Sequence, residues 1–149
     1  MGKVQSIRWI AVGSLVLATA VMLGAFGAHG LKDVLSEGRM AVYQTAVQYH
    51  FYHGLGLMLV GLVMNSLPGV ELRWVLRLLL TGVLLFSGSL YVLTLLDLGW
   101  LGAIAPVGGL SFIAGWVLLA AVLWKQSKIE AVFVLFYIRF EHNLLKCLA

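Results

Sequence analysis

Two histidines, His50 and His53, have the spacing that most directly suggests chemistry. Residues three apart lie on one face of a helix, so both imidazoles could bind one metal ion or cofactor, and His29 or Asp97 would complete the ligand set. Haem is disfavoured, because ligands one turn apart on one helix cannot bind opposite sides of an iron. The alternative is a belt of aromatic side chains at a membrane surface, which needs no ligand. We therefore expect no cofactor; any metal would bind at His50 and His53.

A second polar segment, Ser87-Gly88-Ser89-Leu90-Tyr91, contains two hydroxyls that could act as nucleophiles. It is not a nucleophile elbow, because that motif needs glycine on both sides of the serine and a strand-to-helix turn. In a helix, small residues more often let backbones approach, and serine hydroxyls bond across helices. The segment therefore predicts helix packing and no catalytic residue.

The glycines of Gly24-Ala25-Phe26-Gly27-Ala28-His29-Gly30 suggest a phosphate-binding loop. Such a loop needs a preceding strand and a following helix, and these glycines instead end a long apolar segment. Glycine there permits a close helix crossing or a sharp exit. We predict helix-packing roles for five glycines: Gly24, Gly27, Gly88, Gly108 and Gly109.

The composition indicates which elements hold these residues. The chain has 149 residues, of which 62% are hydrophobic and 11% charged. A soluble domain carries about 25% charged residues, so a soluble enzyme is excluded. The single cysteine, Cys147, excludes an intrachain disulfide. The sequence shows no basic stripe interleaved with aromatic residues, so nucleic acid is not an expected partner.

Apolar runs of about 20 residues predict an all-α membrane protein. They lack the in–out alternation of barrel strands, and unpaired backbone groups are not tolerated in lipid. Four spans are predicted, at about 9–26, 47–67, 78–96 and 101–124. A cleaved signal peptide is the alternative for the first span, but its apolar stretch is longer than a usual signal core.

The segment between the first two spans predicts a short interfacial helix. Leu31, Val34, Leu35 and Val42 fall on one helical face, which suits a helix lying on the membrane surface. Ser36 is a plausible N-cap, so the chain is expected to restart a helix there that continues into the second span.

The basic residues predict the orientation. With both termini in the cytoplasm, Lys32 and Arg39 lie outside, and six basic residues lie inside: Lys3, Arg8, Arg73, Arg77, Lys125 and Lys128. The positive-inside rule therefore favours this topology. Residues 1–128 form the predicted transmembrane domain. Residues 129–149 form a predicted cytoplasmic or interfacial tail, because their apolar run is too short to span.

In this topology the uncommon polar residues are predicted to share a layer in the outer half of the bundle. Polar groups near hydrocarbon usually face a bundle interior or mark a site. The candidate ligand-binding residues of this layer are His29, His50, His53, Ser87, Ser89, Tyr91 and Asp97.

Four motifs in order resemble the small bacterial membrane proteins of domain-of-unknown-function family 423. They are Gly24–Leu31, Tyr43-Gln44 through Tyr49-His50 and His53, Leu85–Tyr91, and Pro106–Gly109 followed by Gly115-Trp116. The resemblance covers about 12–124, and a eukaryotic transmembrane family is similar. It implies four spans in a bacterial plasma (inner) membrane and an uncleaved first helix, and it implies no activity. The tail after Lys128 departs from the family pattern.

The leading functional hypothesis is a non-enzymatic accessory or assembly subunit that binds lipid or a partner membrane protein. It depends on the absence of a complete catalytic set in the sequence. The alternative is a small transporter or ligand-binding module that uses the polar layer. Four helices make a thin conduit, so transport would require a homo-oligomer.

Overall fold

The chain folds into helices alone within the part that the structure describes. The computed structural model describes residues 2–67 and 69–148, and it describes the side chains of residues 3–67 and 69–129. The elements are α1 (Gly2–Gly30), α2 (Glu37–Ser66), α3 (Arg73–Gly82), a π-helical turn (Val83–Ser87), α4 (Gly88–Leu96), a 3-10 helix (Gly99–Ala103) and α5 (Ala105–Leu148).

The helices contain the predicted apolar runs and extend beyond them. Among the described residues, three segments are long and apolar enough to cross a membrane: Lys3–Gly30, Arg73–Leu96 and Gly99–Ile129. The second of these joins α3, the π-helical turn and α4 into one continuous segment, called the third rod because it follows α1 and α2 along the chain. Helix α2 is as long, but its first half carries the polar side chains of Gln44, Gln48, His50 and His53, which lower its mean hydropathy.

No separate interfacial helix lies between α1 and α2, contrary to the prediction. Residues 31–36 form a turn in which the Leu31 carbonyl accepts bonds from the Val34 and Leu35 amides, at 3.1 and 3.0 Å. The predicted apolar face is divided, since Leu31 is buried whereas Val34 is 73% exposed. Helix α2 does restart after Ser36, although the Ser36 side chain makes no capping hydrogen bond.

Two antiparallel helix pairs form the bundle. Helix α1 packs along α2, and α5 packs along α3 and the π-helical turn, while α2 also contacts α3, the turn and α4. The main apolar core lies where α2, α3 and α5 meet, around Leu57, Leu76, Leu79 and Phe112. Helix α1 has no comparable contact with the third rod, and a cleft separates them on that side.

The two ends of the bundle are defined by polar contacts. At one end, the Ser6 hydroxyl of α1 donates to the Asn65 side-chain oxygen of α2, at 3.2 Å. At the other end, Arg39 of α2 meets the end of α4, where Asp97 adopts a left-handed φ of 59°. A left-handed residue commonly ends a helix, and it turns the chain toward α5.

Most of the fourth predicted span and of the predicted tail belongs to one helix, α5, which extends from Ala105 to Leu148. The side chains beyond Ile129 lie outside the described residues. The assignment of 129–149 to a cytoplasmic or interfacial tail therefore stays a prediction.

Candidate functional site

His50 lies at the junction of three helices. Its Nδ1 is 3.2 Å from the Tyr91 hydroxyl of α4, and its Nε2 is 3.4 Å from the Thr19 hydroxyl of α1. Thr19 donates its hydrogen to the carbonyls of its own helix, the nearer being Val16 at 2.9 Å. Thr19 is therefore the acceptor from the His50 Nε2–H, and in a neutral imidazole the Tyr91 hydroxyl donates to Nδ1. Through these two contacts the imidazole bridges α1, α2 and α4.

A cleft of about 220 Å³ lies beside His50, between α1 and the third rod. Its polar lining groups are Thr19, His50, Ser87 and Tyr91, and its walls are apolar: Val16, Leu23, Leu80, Val83 and Leu84, with Gly88. Thr19 and Leu84 are exposed, so the cleft opens sideways, toward what would be lipid.

Ser87 differs from the other hydroxyl residues of this rod. Ser89 donates to the Phe86 carbonyl at 3.0 Å, and Thr94 donates to the Leu90 carbonyl at 2.9 Å. Ser87 ends the π-helical turn, is fully buried, and has no hydrogen-bond partner among the described residues. A π-helical turn displaces the carbonyls that a helical serine ordinarily uses, and such turns are frequent at functional sites.

His53 lies in a different environment, an aromatic cluster on the α5 side of α2. Its ring stacks on Phe112, with the ring centroids 3.4 Å apart. Its Nδ1 donates to the Tyr49 carbonyl at 2.8 Å, and its Nε2 accepts from the Trp116 indole N–H at 3.3 Å. Indole is a donor only, so a protonated His53 would point an N–H at an N–H. The cluster therefore holds His53 neutral.

The structure does not gather the predicted polar layer into one site. Among the described residues, no group of three or more His, Cys, Asp or Glu side chains could hold a metal ion. His29 is exposed on the last turn of α1, and the Asp97 side chain is 81% exposed. Both nitrogens of His50 and of His53 have partners within the protein. Only His50, Ser87 and Tyr91 of the predicted residues share the cleft.

The two histidines lie well inside helix α2. The helix begins at Glu37, directly after Ser36 as predicted, which is ten residues before the predicted start of the second span. With a rise of 1.5 Å per residue, His50 is about 20 Å from the start of the helix. It therefore lies near the middle of α2.

The comparisons with known proteins bear on this arrangement. A family model described as "Protein of unknown function (DUF423)" matches residues 23–109. The chain belongs to the DUF423 family. Its relatives include the UPF0382 membrane protein SH2409 of Staphylococcus haemolyticus (strain JCSC1435), 47% identical over 117 residues, which are 78% of this chain and 95% of the relative. The UPF0382 membrane protein YwdK of Bacillus subtilis (strain 168) is 41% identical over 121 residues, covering 78% and 96%.

No solved structure matches the chain. The resemblance seen in the sequence motifs is confirmed, and both relatives are named as UPF0382 membrane proteins. The matched segment includes every predicted ligand-binding residue from His29 to Asp97.

Sequence reasoning missed a second polar contact in this DUF423 protein. Arg39 donates through Nη2 to the Thr94 carbonyl at the end of α4, and its Nη1 is 3.6 Å from an Asp97 carboxylate oxygen. The last carbonyls of a helix lack partners within the helix, so a guanidinium satisfies one of them here. The signal available was the basic residue in the first turn of α2 and the acidic residue ending the third span.

The predicted packing glycines divide into two groups. An added Cβ at Gly24 would lie 3.2 Å from Val47, and at Gly27 it would lie 3.0 Å from Tyr43 Cδ1. At Gly108 it would overlap the Phe86 backbone nitrogen and lie 2.7 Å from Phe86 Cα. These three positions are close approaches between helices. The other two have room: a Cβ at Gly88 would be 4.0 Å from the Val83 oxygen, and at Gly109 it would be 3.8 Å from Phe86 Cδ2.

Proposed function

We propose that this DUF423 protein crosses a bacterial plasma (inner) membrane four times, with both termini in the cytoplasm. Helix α2 has 30 residues and a length of about 45 Å, more than the 30 Å of a bilayer core. The end of the bundle at Ser6 and Asn65 also carries most of the basic residues of the described chain, and the end at Arg39 and Asp97 carries few. The positive-inside rule supports placing the first end in the cytoplasm.

In that membrane, the protein acts as a non-enzymatic accessory or assembly subunit that binds lipid or a partner membrane protein. The observation that carries this proposal is the hydrogen bonding of the two histidines. His50 joins three helices and His53 joins α2 to α5, and both ring nitrogens of each histidine have hydrogen-bond partners within the protein. Histidines used in this way stabilise a scaffold and leave no ring nitrogen free to bind a metal.

A groove on the outer surface supplies a surface for a partner. It has a volume of about 410 Å³ and lies between the second half of α1 and the first half of α2. Gly24 and Gly27 line one wall of the groove and have no side chains to fill it. The exposed amides of Gln44 and Gln48 lie one turn apart on the other wall. Small residues beside amides are typical of contacts between membrane helices.

The histidine argument is tested by purifying the wild type and a His50→Ala/His53→Ala variant in mild detergent. We expect no stoichiometric metal in either protein and no proton or cation flux from reconstituted vesicles. The variant should lose stability by about 3 kcal/mol, since it loses several hydrogen bonds and the packing of two buried rings, and the Trp116 indole N–H loses its acceptor. A stoichiometric metal, or a flux, that disappears in the variant while stability is kept would contradict the proposal and favour the transporter.

The groove is tested by placing a photo-crosslinking amino acid at Gln48 and, as a control, at Leu15, which is 68% exposed on α1. In native membranes, we expect a discrete adduct with one protein, or with a second copy of the chain, at Gln48 only. The same diffuse lipid adducts at both positions would show that the groove has no protein partner.

A further inference from the structure

The cleft beside His50 contains the Ser87 hydroxyl, which has no hydrogen-bond partner among the described residues, at a depth in the bilayer that few ligands reach. His50 lies about 16 Å along α2 from Arg39 and about 22 Å from Asn65, by the rise of a helix. With a hydrocarbon core of about 30 Å, the cleft lies near the middle of the bilayer. Charged phospholipid headgroups do not reach this depth, so an occupant enters sideways from the hydrocarbon.

The chemistry of the lining restricts the occupant further. No charged side chain lines the cleft, so a charged molecule would lose its hydration without compensation. With His50 protonated at Nε2 alone, Tyr91, His50 and Thr19 all use their hydrogens within the protein. The Ser87 hydroxyl is the polar group of the cleft left with a hydrogen to donate. A carbonyl oxygen of an uncharged occupant is a suitable acceptor for the hydrogen of the Ser87 hydroxyl.

The space beside Ser87 is kept open by its neighbour. Gly88 lines the cleft, and a Cβ there would meet no atom nearer than the Val83 oxygen at 4.0 Å. The glycine therefore avoids no clash, but a larger side chain would fill the cleft. About 220 Å³ holds one or two rings or a short acyl segment, and is too small for a whole phospholipid.

We propose that this cleft binds the carbonyl-bearing part of an uncharged, membrane-soluble molecule, with the Ser87 hydroxyl donating to its carbonyl oxygen. Two sources have this chemistry: an isoprenoid quinone and the ester of a neutral glycerolipid. The proposal concerns binding alone and does not depend on the accessory role.

The test titrates the full-length protein in mild detergent with menaquinone-4 and, separately, with dioleoylglycerol. Binding is measured by native mass spectrometry and by the shift in melting temperature. Ser87→Ala removes the donor, and Gly88→Val fills the space. Ser89→Ala is the matched control, because Ser89 is also buried but bonds its own helix outside the cleft.

We expect saturable binding of at least one compound, and the compound that binds identifies the source. Ser87→Ala should weaken binding about fivefold, the value of one hydrogen bond, without lowering stability, since its hydroxyl has no partner to lose. Gly88→Val should abolish binding, and Ser89→Ala should leave it unchanged.

Failure of both compounds to bind saturably overturns the proposal. So does binding that Ser87→Ala leaves at full strength, whatever the effect of Gly88→Val, because recognition of the carbonyl would then not involve this hydroxyl. Ser87→Ala keeps the test decisive if Gly88→Val fails to fold.

Discussion

Alanine at Gly108 should destabilise the bundle, whereas alanine at the adjacent Gly109 should not. Both glycines lie in the first turns of α5, and both face Phe86 of the π-helical turn. They differ in the atoms that a Cβ would meet. At Gly108 the neighbours are the backbone nitrogen of Phe86 and its Cα at 2.7 Å, whereas at Gly109 the nearest is the Phe86 ring at 3.8 Å.

The magnitude follows from these distances. Carbon atoms in contact are ordinarily about 3.5–4.0 Å apart, so α5 and the π-helical turn would have to separate by about 1 Å at Gly108. Backbone atoms cannot rotate away, so we take the upper end of the overpacking range, about 3 kcal/mol. The higher helix propensity of alanine stabilises the folded state by about 1 kcal/mol at both positions. Gly108→Ala should therefore lose about 2 kcal/mol, and Gly109→Ala should gain up to about 1 kcal/mol.

The comparison of the two variants removes the propensity term, which is the same for both. Their unfolding free energies should differ by about 3 kcal/mol, measured by sodium dodecyl sulfate titration from mild-detergent micelles. On the scale of proteins this size, that corresponds to about 6–12 °C in Tm. Equal stabilities, or a more stable Gly108→Ala variant, would refute the close approach between α5 and the π-helical turn.

Three smaller perturbations test other contacts. Arg39→Ala should lower the free energy of unfolding by about 1.5 kcal/mol, because a helix-terminal carbonyl loses a charged donor. Asp97→Asn should lower it by less than about 0.5 kcal/mol, since the ion pair with Arg39 is long and exposed. Thermal unfolding at low and high salt compares the two variants. Tyr43→Phe should cost about 1 kcal/mol in the same assay, because the buried hydroxyl donates to a backbone carbonyl of α1 at 2.8 Å. The hydrogen bond from Arg73 lowers the pKa of Glu71 below its ordinary value of 4.5. The stabilisation that this ionised carboxylate gives the fold is therefore complete above pH 4.5 and is lost as the pH falls through the lowered pKa. Tm measured from pH 6 to 3 should therefore fall slightly more in the wild type than in Glu71→Gln.

The candidate site could be predicted only in part. The residue types were identified correctly as polar groups within apolar helices, and His50, Ser87 and Tyr91 do come together. Helical spacing placed His50 and His53 on one face. A three-residue step is nevertheless a rotation of about 60° from exact alignment, and it directs one imidazole toward α1 and α4 and the other toward α5.

The membrane character and the helical fold follow from the sequence alone. A chain this apolar has too few charged residues to form a surface that faces water. In lipid, apolar runs of this length must form helices, because every backbone polar group has to be hydrogen-bonded. The restart of α2 after Ser36 also follows from local chemistry, because a small polar residue before Glu37 favours a helix N-terminus. These properties depend on each segment and its solvent, and not on the neighbouring helices.

Only the tertiary structure decided which groups meet. Gly88, Gly108 and Gly109 are equivalent in sequence, yet only Gly108 faces a backbone at close range. The π-helical turn, the unpaired hydroxyl of Ser87 and the contact of Arg39 with α4 all depend on how the rods are rotated and shifted against one another. Those rotations are set by side-chain packing between segments far apart in the chain, which hydrophobic periodicity within one segment does not encode.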